Sequence, residues 1–335
     1  MPDIFLPQKI TYGENSLKNF SLKGYCSPLI ISDCDETNNN YLLSLEKPLT
    51  ESLSQPQIIV KKNQVELLDS ATEKINNFDI DIIISFGSAQ LIDLAMLLSY
   101  QSGADFVAVP EASACSMTDF ENSPYTLYRK SPTYVVLDTG LIINANSQRI
   151  AYDAASCLAY AIDTLILCDN PVIYNMAYDG AKGILKNIIP AFRGEITARK
   201  NLMYSMYFAV AAHRNITSLN ISVIDRLSEF FSQLGYSKQT VAAICLPDVM
   251  EKYESSSYTE LYRAIFDDRI YRTNEECSAL LIEKIRNIFA SLSIPRSIKA
   301  LGADTEKYTK LSEKTKLSKE LLDICFYGSF KFIKL

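Results

Sequence analysis

The rhythm of apolar positions changes once along the chain, near residue 147. Before that point short apolar runs alternate with stretches of helical period. Residues 28–32, 58–60, 81–85, 106–109 and 134–137 read as strands, and 65–76 and 91–99 as helices. Strands separated by helices predict βαβ crossovers and a mainly parallel sheet. The runs are near-continuous Ile and Val rather than alternating, which suits a sheet covered on both faces. After the change, residues 150–167, 171–186, 198–213, 223–234 and 275–292 carry helical periodicity and strand signals nearly vanish. The expectation is an α/β parallel-sheet domain over residues 1–147 followed by an all-α domain over 148–335.

Composition narrows the function classes. The 335 residues are 48% hydrophobic and 21% charged, as in ordinary folded domains. The net charge is −6 and no basic block occurs, which argues against a nucleic-acid partner. No uninterrupted apolar run approaches the ~18 residues of a membrane span, and Met1-Pro2-Asp3 does not open like a secretory leader. Eight cysteines without a CxxC pair read as buried reduced thiols of a cytoplasmic protein. There is one histidine, so a site built from several imidazoles is excluded.

Two turns follow strands and could hold a ligand. In Ile84-Ser85-Phe86-Gly87-Ser88-Ala89 a strand meets a tight turn and then a helix. Backbone N–H groups and a helix N-terminus in that setting can receive a phosphate, although a plain βα turn has the same look. Only Gly87 is present where dinucleotide folds use several glycines. The second turn, from Val109-Pro110 through Ser113 and Ser116 to Thr118, is rich in small and hydroxylic residues. It reads equally as a ligand loop or a surface loop.

The ordered set of landmarks resembles the iron-containing alcohol dehydrogenase and glycerol dehydrogenase superfamily. Ile4-Phe5-Leu6-Pro7 with Ile10-Thr11-Tyr12-Gly13 resembles its opening strand pair. Phe86-Gly87-Ser88-Ala89 through Asp93 stands where the family has three glycines, a Ser and an Asp-x-Ala-Lys segment. Val109-Pro110 begins its nicotinamide loop, and Val135-Val136-Leu137-Asp138-Thr139 matches its aspartate-terminated strand. Asn170-Pro171, Leu246-Pro247-Asp248, Ser293-Ile294-Pro295 and Leu301-Gly302 follow in family order. The resemblance implies a Rossmann-like nucleotide domain and an all-α domain, as in dehydroquinate synthase. It also implies NAD(P) and a divalent metal in the cleft between them, the metal polarising the substrate oxygen during hydride transfer.

The site departs from that pattern. Matching Ala161-Ile162-Asp163 to the family's helix puts Ser156 at the metal-binding aspartate and Tyr160 at a histidine. Lys238 falls near the last family histidine, and Met96 stands at the family lysine. Cys157, Asp153 and Asp225 are the remaining metal candidates, and no metal is expected. His213 reads as a satisfied structural or surface residue. On the nucleotide side, Asp33 is expected at the adenine ribose, where it would favour NAD over NADP. Gly87, Ser88, Ala89, Asp93, Ser113 and Ser116 complete the expected cofactor set. Glu111 brings an opposing carboxylate.

Two readings follow. In one the chain is a metal-independent NAD(P)-linked oxidoreductase of a small alcohol or carbonyl, with Tyr160 as proton donor and Lys238 as fixed positive charge. Each residue has a plainer reading, Tyr160 as core aromatic and Lys238 as solvated charge. In the other the chain is an inactive homologue acting as a scaffold, through a homo-oligomer or a partner protein. A small molecule or nucleotide ligand is compatible with both, and neither involves nucleic acid or a membrane.

Overall fold

The computed structural model describes residues 4–32, 45, 56–60, 64–110, 131–216, 222–266 and 271–328. The chain divides into two compact units, Met1–Ala145 and Asn146–Leu335. The first is built on β1 (Lys9–Gly13), β2 (Pro28–Ser32), β3 (Gln57–Val60), β4 (Ile82–Gly87), β5 (Asp105–Pro110) and β6 (Tyr134–Asp138). They form one parallel sheet in the order β1-β6-β5-β4-β2-β3. Helices α1 (Gln64–Asn77) and α2 (Ala89–Ser102) are the crossovers into β4 and β5, and a short α3 (Gly140–Ile143) follows β6.

β2 and β4 are buried along their whole lengths, which explains their unbroken apolar runs. Leu17, Ile30, Ile84, Phe86, Val107 and Val136 pack together in the core beside them. Asp138, at the end of β6, accepts hydrogen bonds from Asn15 N at 3.2 Å, Leu17 N at 3.0 Å and Gly140 N at 2.9 Å. That carboxylate ties the segment after β1 to the end of β6. The expected opening strand pair is a single strand: residues 4–7 form none. Pro7 has no N–H for a ladder, and Gln8 N and Lys9 N are both bonded to Thr133 O just before β6.

The strand order sets up one position of special geometry. From β2 the chain moves outward to β3, crosses back to β4 and continues to β5 on the opposite side. The C-terminal ends of β2 and β4 are therefore a topological switch point, where connections diverge and open α/β sheets leave a ligand crevice.

Among its described residues the second unit has helices but no strand. They are α4 (Ser147–Leu167), α5 (Pro171–Phe192), α6 (Ile196–His213), α7 (Val223–Ser232), α8 (Lys238–Lys252), α9 (Ser256–Ile265), α10 (Asn274–Ser291), α11 (Thr305–Ser312) and α12 (Lys319–Tyr327). Local chemistry starts them: Asn146 caps α4, Asn170 caps α5 ahead of Pro171, and Thr273 with Glu276 forms a capping box on α10. α8 escapes the periodicity because Val241 through Met250 are all buried and leave it no polar face. The apolar core of the unit runs along α4, the one described helix long and apolar enough to cross a membrane. Yet 78% of that stretch is buried inside the protein. α5 and α6 approach closely at Gly180, where a Cβ would lie 2.8 Å from Ala209 N.

Candidate functional site

Two places in the structure gather the expected site residues. The first is the turn from β4 into α2, at the switch point. Ser32 at the end of β2 lies in register with Phe86 of β4, and Gly87 is in register with Pro110. Gly87 has φ +147°, a conformation side chains rarely adopt. Ser88 is the N-cap of α2 and its hydroxyl accepts from Leu91 N at 3.3 Å. α2 is 14 residues long and carries no acidic residue in its first turn, so the positive end of its dipole is unopposed by its own side chains. Ala89 opens the helix, and Asp93 is half-buried in the second turn. Met96 is buried in the core face of α2. Asp33, Glu111, Ser113 and Ser116 lie outside the described residues.

The second place is a buried polar array in the helical unit. Tyr160, Asp163 and Thr164 lie within one turn of α4, so i, i+4 spacing puts Tyr160 and Thr164 on one side. The Thr164 hydroxyl donates to Tyr160 O at 2.7 Å and lies 3.3 Å from His213 Nδ1. His213 ends α6, and its ring stacks on Tyr160 at 4.9 Å between centroids with a 32° tilt. His213 Nε2 is 2.9 Å from Asp225 Oδ2. Ser222 caps α7 by accepting from Asp225 N at 2.9 Å. Lys238, the first residue of α8, places Nζ 3.1 Å from Glu229 Oε2 and acts electrostatically on Asp225.

The electrostatics of the two acids differ. Burial raises the carboxyl of Asp225, but the His213 charge and hydrogen bond, Ser222 and Lys238 more than offset it. The net result is below the ordinary value. Asp163 is fully buried, and that burial pushes its carboxyl up to about 6. The His213 charge, a Ser222 hydrogen bond and Ile224 N hold it from rising further, while the Asp225 charge adds to the rise. One Asp163 oxygen, Oδ2, has no hydrogen-bond partner among the described residues. Burial and the Asp163 charge together raise the phenol of Tyr258.

The structure thus links Tyr160 to Lys238 through His213 and Asp225. It does not bring the metal candidates together. Cys157 and Asp153 are buried on α4, and the Ser156 hydroxyl donates to Asp153 O at 2.9 Å. Asp225 is occupied by His213. Among the described residues, no three His, Cys, Asp or Glu side chains gather as a metal-holding set. His213 turns out to be buried, with both ring nitrogens engaged. Asp163 was not singled out from sequence at all. The one local signal for the array was the Tyr160/Thr164 spacing beside an aspartate on an otherwise apolar helix.

No family model matches the sequence, and no curated protein matches it. Solved structures do. A 1,3-propanediol oxidoreductase superposes with TM-score 0.84 at 16% identity, over 98% of this chain and 100% of that one. The iron-containing alcohol dehydrogenase of Thermococcus thioreducens gives 0.80 at 19% identity, over 97% and 100%. The maleylacetate reductase of Agrobacterium tumefaciens gives 0.77 at 16% identity, over 98% and 99%. At such low identity the likeness concerns architecture, and it extends over nearly the entire chain: this protein has the fold of the iron-containing alcohol dehydrogenases.

Proposed function

We propose that the chain is an NAD(H)-linked oxidoreductase of a small alcohol or carbonyl that works without a metal ion. The observation that carries the reading is the β4–α2 turn. It stands at the switch point of the sheet, its Gly87 has φ +147° and no side chain, and it feeds a helix N-terminus without a first-turn carboxylate. Those three features suit the phosphates of a dinucleotide at Gly87, Ser88 and Ala89. On the family pattern Asp33, next after β2, takes the adenine ribose, and Asp93, Ser113 and Ser116 complete the cofactor contacts.

NADH, when bound, would supply the hydride; on the family pattern Tyr160 would be the proton donor and Lys238, 3.1 Å from Glu229, the cationic side chain. Donor chemistry supports the metal-free part. A divalent ion such as zinc or iron prefers imidazole, thiolate and carboxylate. The family positions here offer a serine bonded to its own helix, a stacked phenol and a lysine, and His213 and Asp225 are spent on each other. These residues do not fit a metal.

Calorimetric titration of NADH and NADPH into the intact protein tests the reading. NADH binding tighter than NADPH, and lost in Gly87→Val, is the expected result. No binding of either, or a preference for NADPH, counts against it. A second reading, a scaffold without turnover, draws on one observation. Ile4, Phe5, Leu6, Ile10 and Tyr12 are exposed at or just before β1, the strand closing one edge of the sheet. Such a surface suits a second copy or a partner protein. Binding of NADH with no reduction of any small aldehyde would favour it.

A further inference from the structure

Cys245 on α8 and Cys325 on α12 are both free and buried, and their thiols are hydrogen-bonded to each other. The helices that carry them meet at a second point: Lys252, at the end of α8, pairs with Glu320, near the start of α12, at 2.6 Å. The two contacts make α8 and α12 antiparallel neighbours. The Cys325 backbone is fixed as well, since its carbonyl accepts from Ile298 N at 3.1 Å. Side-chain arms that already point at each other meet the first geometric requirement of a disulfide. The surroundings set when the pair can react. Asp248 lies one turn on from Cys245 and is bonded by Arg286 at 2.8 Å, and the charges of both reach Cys325. The Cys245 hydrogen bond and burial, with the Cys245 and Asp248 charges, raise the Cys325 thiol well above its ordinary value against the Arg286 charge. At rest both sulfurs therefore keep their protons, and a buried protonated thiol is a poor nucleophile. Reaction waits on a local opening of α12, a helix of only nine residues.

We propose that Cys245 and Cys325 are a modification site: a peroxide oxidant converts them to a reversible disulfide that clamps α12 to α8. When α12 opens, the Cys325 thiolate attacks hydrogen peroxide. An S–O bond forms, the O–O bond breaks, and hydroxide leaves with the thiol proton as water, giving the sulfenic acid. When α12 closes again, the Cys245 sulfur attacks the sulfenic sulfur. The S–S bond forms, the S–O bond breaks, and a second water leaves with the Cys245 proton. Two thiols have then lost two electrons and two protons, and one peroxide has become two waters. The bridge closes a long loop, from residue 245 to residue 325, and so removes freedom from the unfolded chain. None of this depends on the oxidoreductase reading above.

Full-length protein exposed to hydrogen peroxide, alkylated with iodoacetamide and digested should yield a linked peptide joining Cys245 to Cys325 in the mass spectrum. Dithiothreitol should remove it. The oxidised protein should melt roughly 5–10 °C above the reduced form. Cys325→Ser should lose both the linked peptide and the gain in Tm. The wild-type peptide map needs no substitution and decides by itself. Recovery of Cys245 and Cys325 as alkylated thiols, after the exposed Cys26 has been oxidised, overturns the proposal. So does either thiol linked to a different cysteine. A linked peptide in protein that melts no higher than the reduced form overturns the clamp.

Discussion

Asp163→Asn should stabilise the protein by an amount that grows as pH rises from about 4 to about 6 and then levels off. The carboxyl is fully buried and is pushed from its ordinary 3.8 up to about 6, chiefly by loss of solvent. The native state therefore holds a proton that the unfolded chain has already released between those two values. The associated stability is fully present below 3.8 and is lost as pH rises through about 6. Moving a carboxyl that far corresponds to roughly 3 kcal/mol once it is ionised. Asparagine is nearly isosteric, can still accept from Ser222 and Ile224 N, and carries no charge to bury. At pH 8 the variant should gain up to about 3 kcal/mol, or several degrees in Tm for a unit of this size. At pH 4 the difference should shrink toward zero. Urea unfolding of wild type and variant at pH 4, 6 and 8 checks this. A variant less stable than wild type at pH 8, or a difference independent of pH, refutes the reasoning.

Other substitutions probe the scaffold. Gly180→Ala would bring a Cβ to 2.8 Å from Ala209 N and 3.0 Å from Ala209 Cα, both backbone. The α5–α6 pair must then part, costing about 1–3 kcal/mol by urea unfolding. Gly183→Ala meets Ser205, whose Oγ can rotate away but whose Cβ, 2.9 Å off, cannot, so it should cost a similar amount in the same measurement. Asp138→Ala leaves the N–H groups of Asn15, Leu17 and Gly140 without their acceptor. It should cost about 3 kcal/mol or more, seen as earlier amide exchange in the first unit.

The parallel sheet is readable from sequence because β2 and β4 are buried on both faces, which leaves unbroken Ile runs. The α/β-then-α order is equally plain, since the change from short runs to helical period falls beside the observed unit boundary at Ala145. α8 is hidden for the opposite reason: buried all round, it has no amphipathic stripe to detect. α9, α11 and α12, of 8 to 10 residues, are too short to show a period. In the helical unit, Tyr160 and Lys238 are named only through the family pattern, and the contacts around them have no local signal. Thr164 and His213 are 49 residues apart, and the contact depends on α6 packing against α4. His213 and Asp225 are joined only because α7 returns to the end of α6. No local pattern encodes such closures, so a lone histidine on an apolar helix looks inert until its neighbours are in place.

The most direct test of a metal-free NAD(H) oxidoreductase is NADH oxidation with small aldehydes by protein dialysed against EDTA. The account predicts turnover that survives the chelator, is not raised by added Fe²⁺ or Zn²⁺, and is lost in Tyr160→Phe. Turnover that appears only when one of those ions is returned would contradict it.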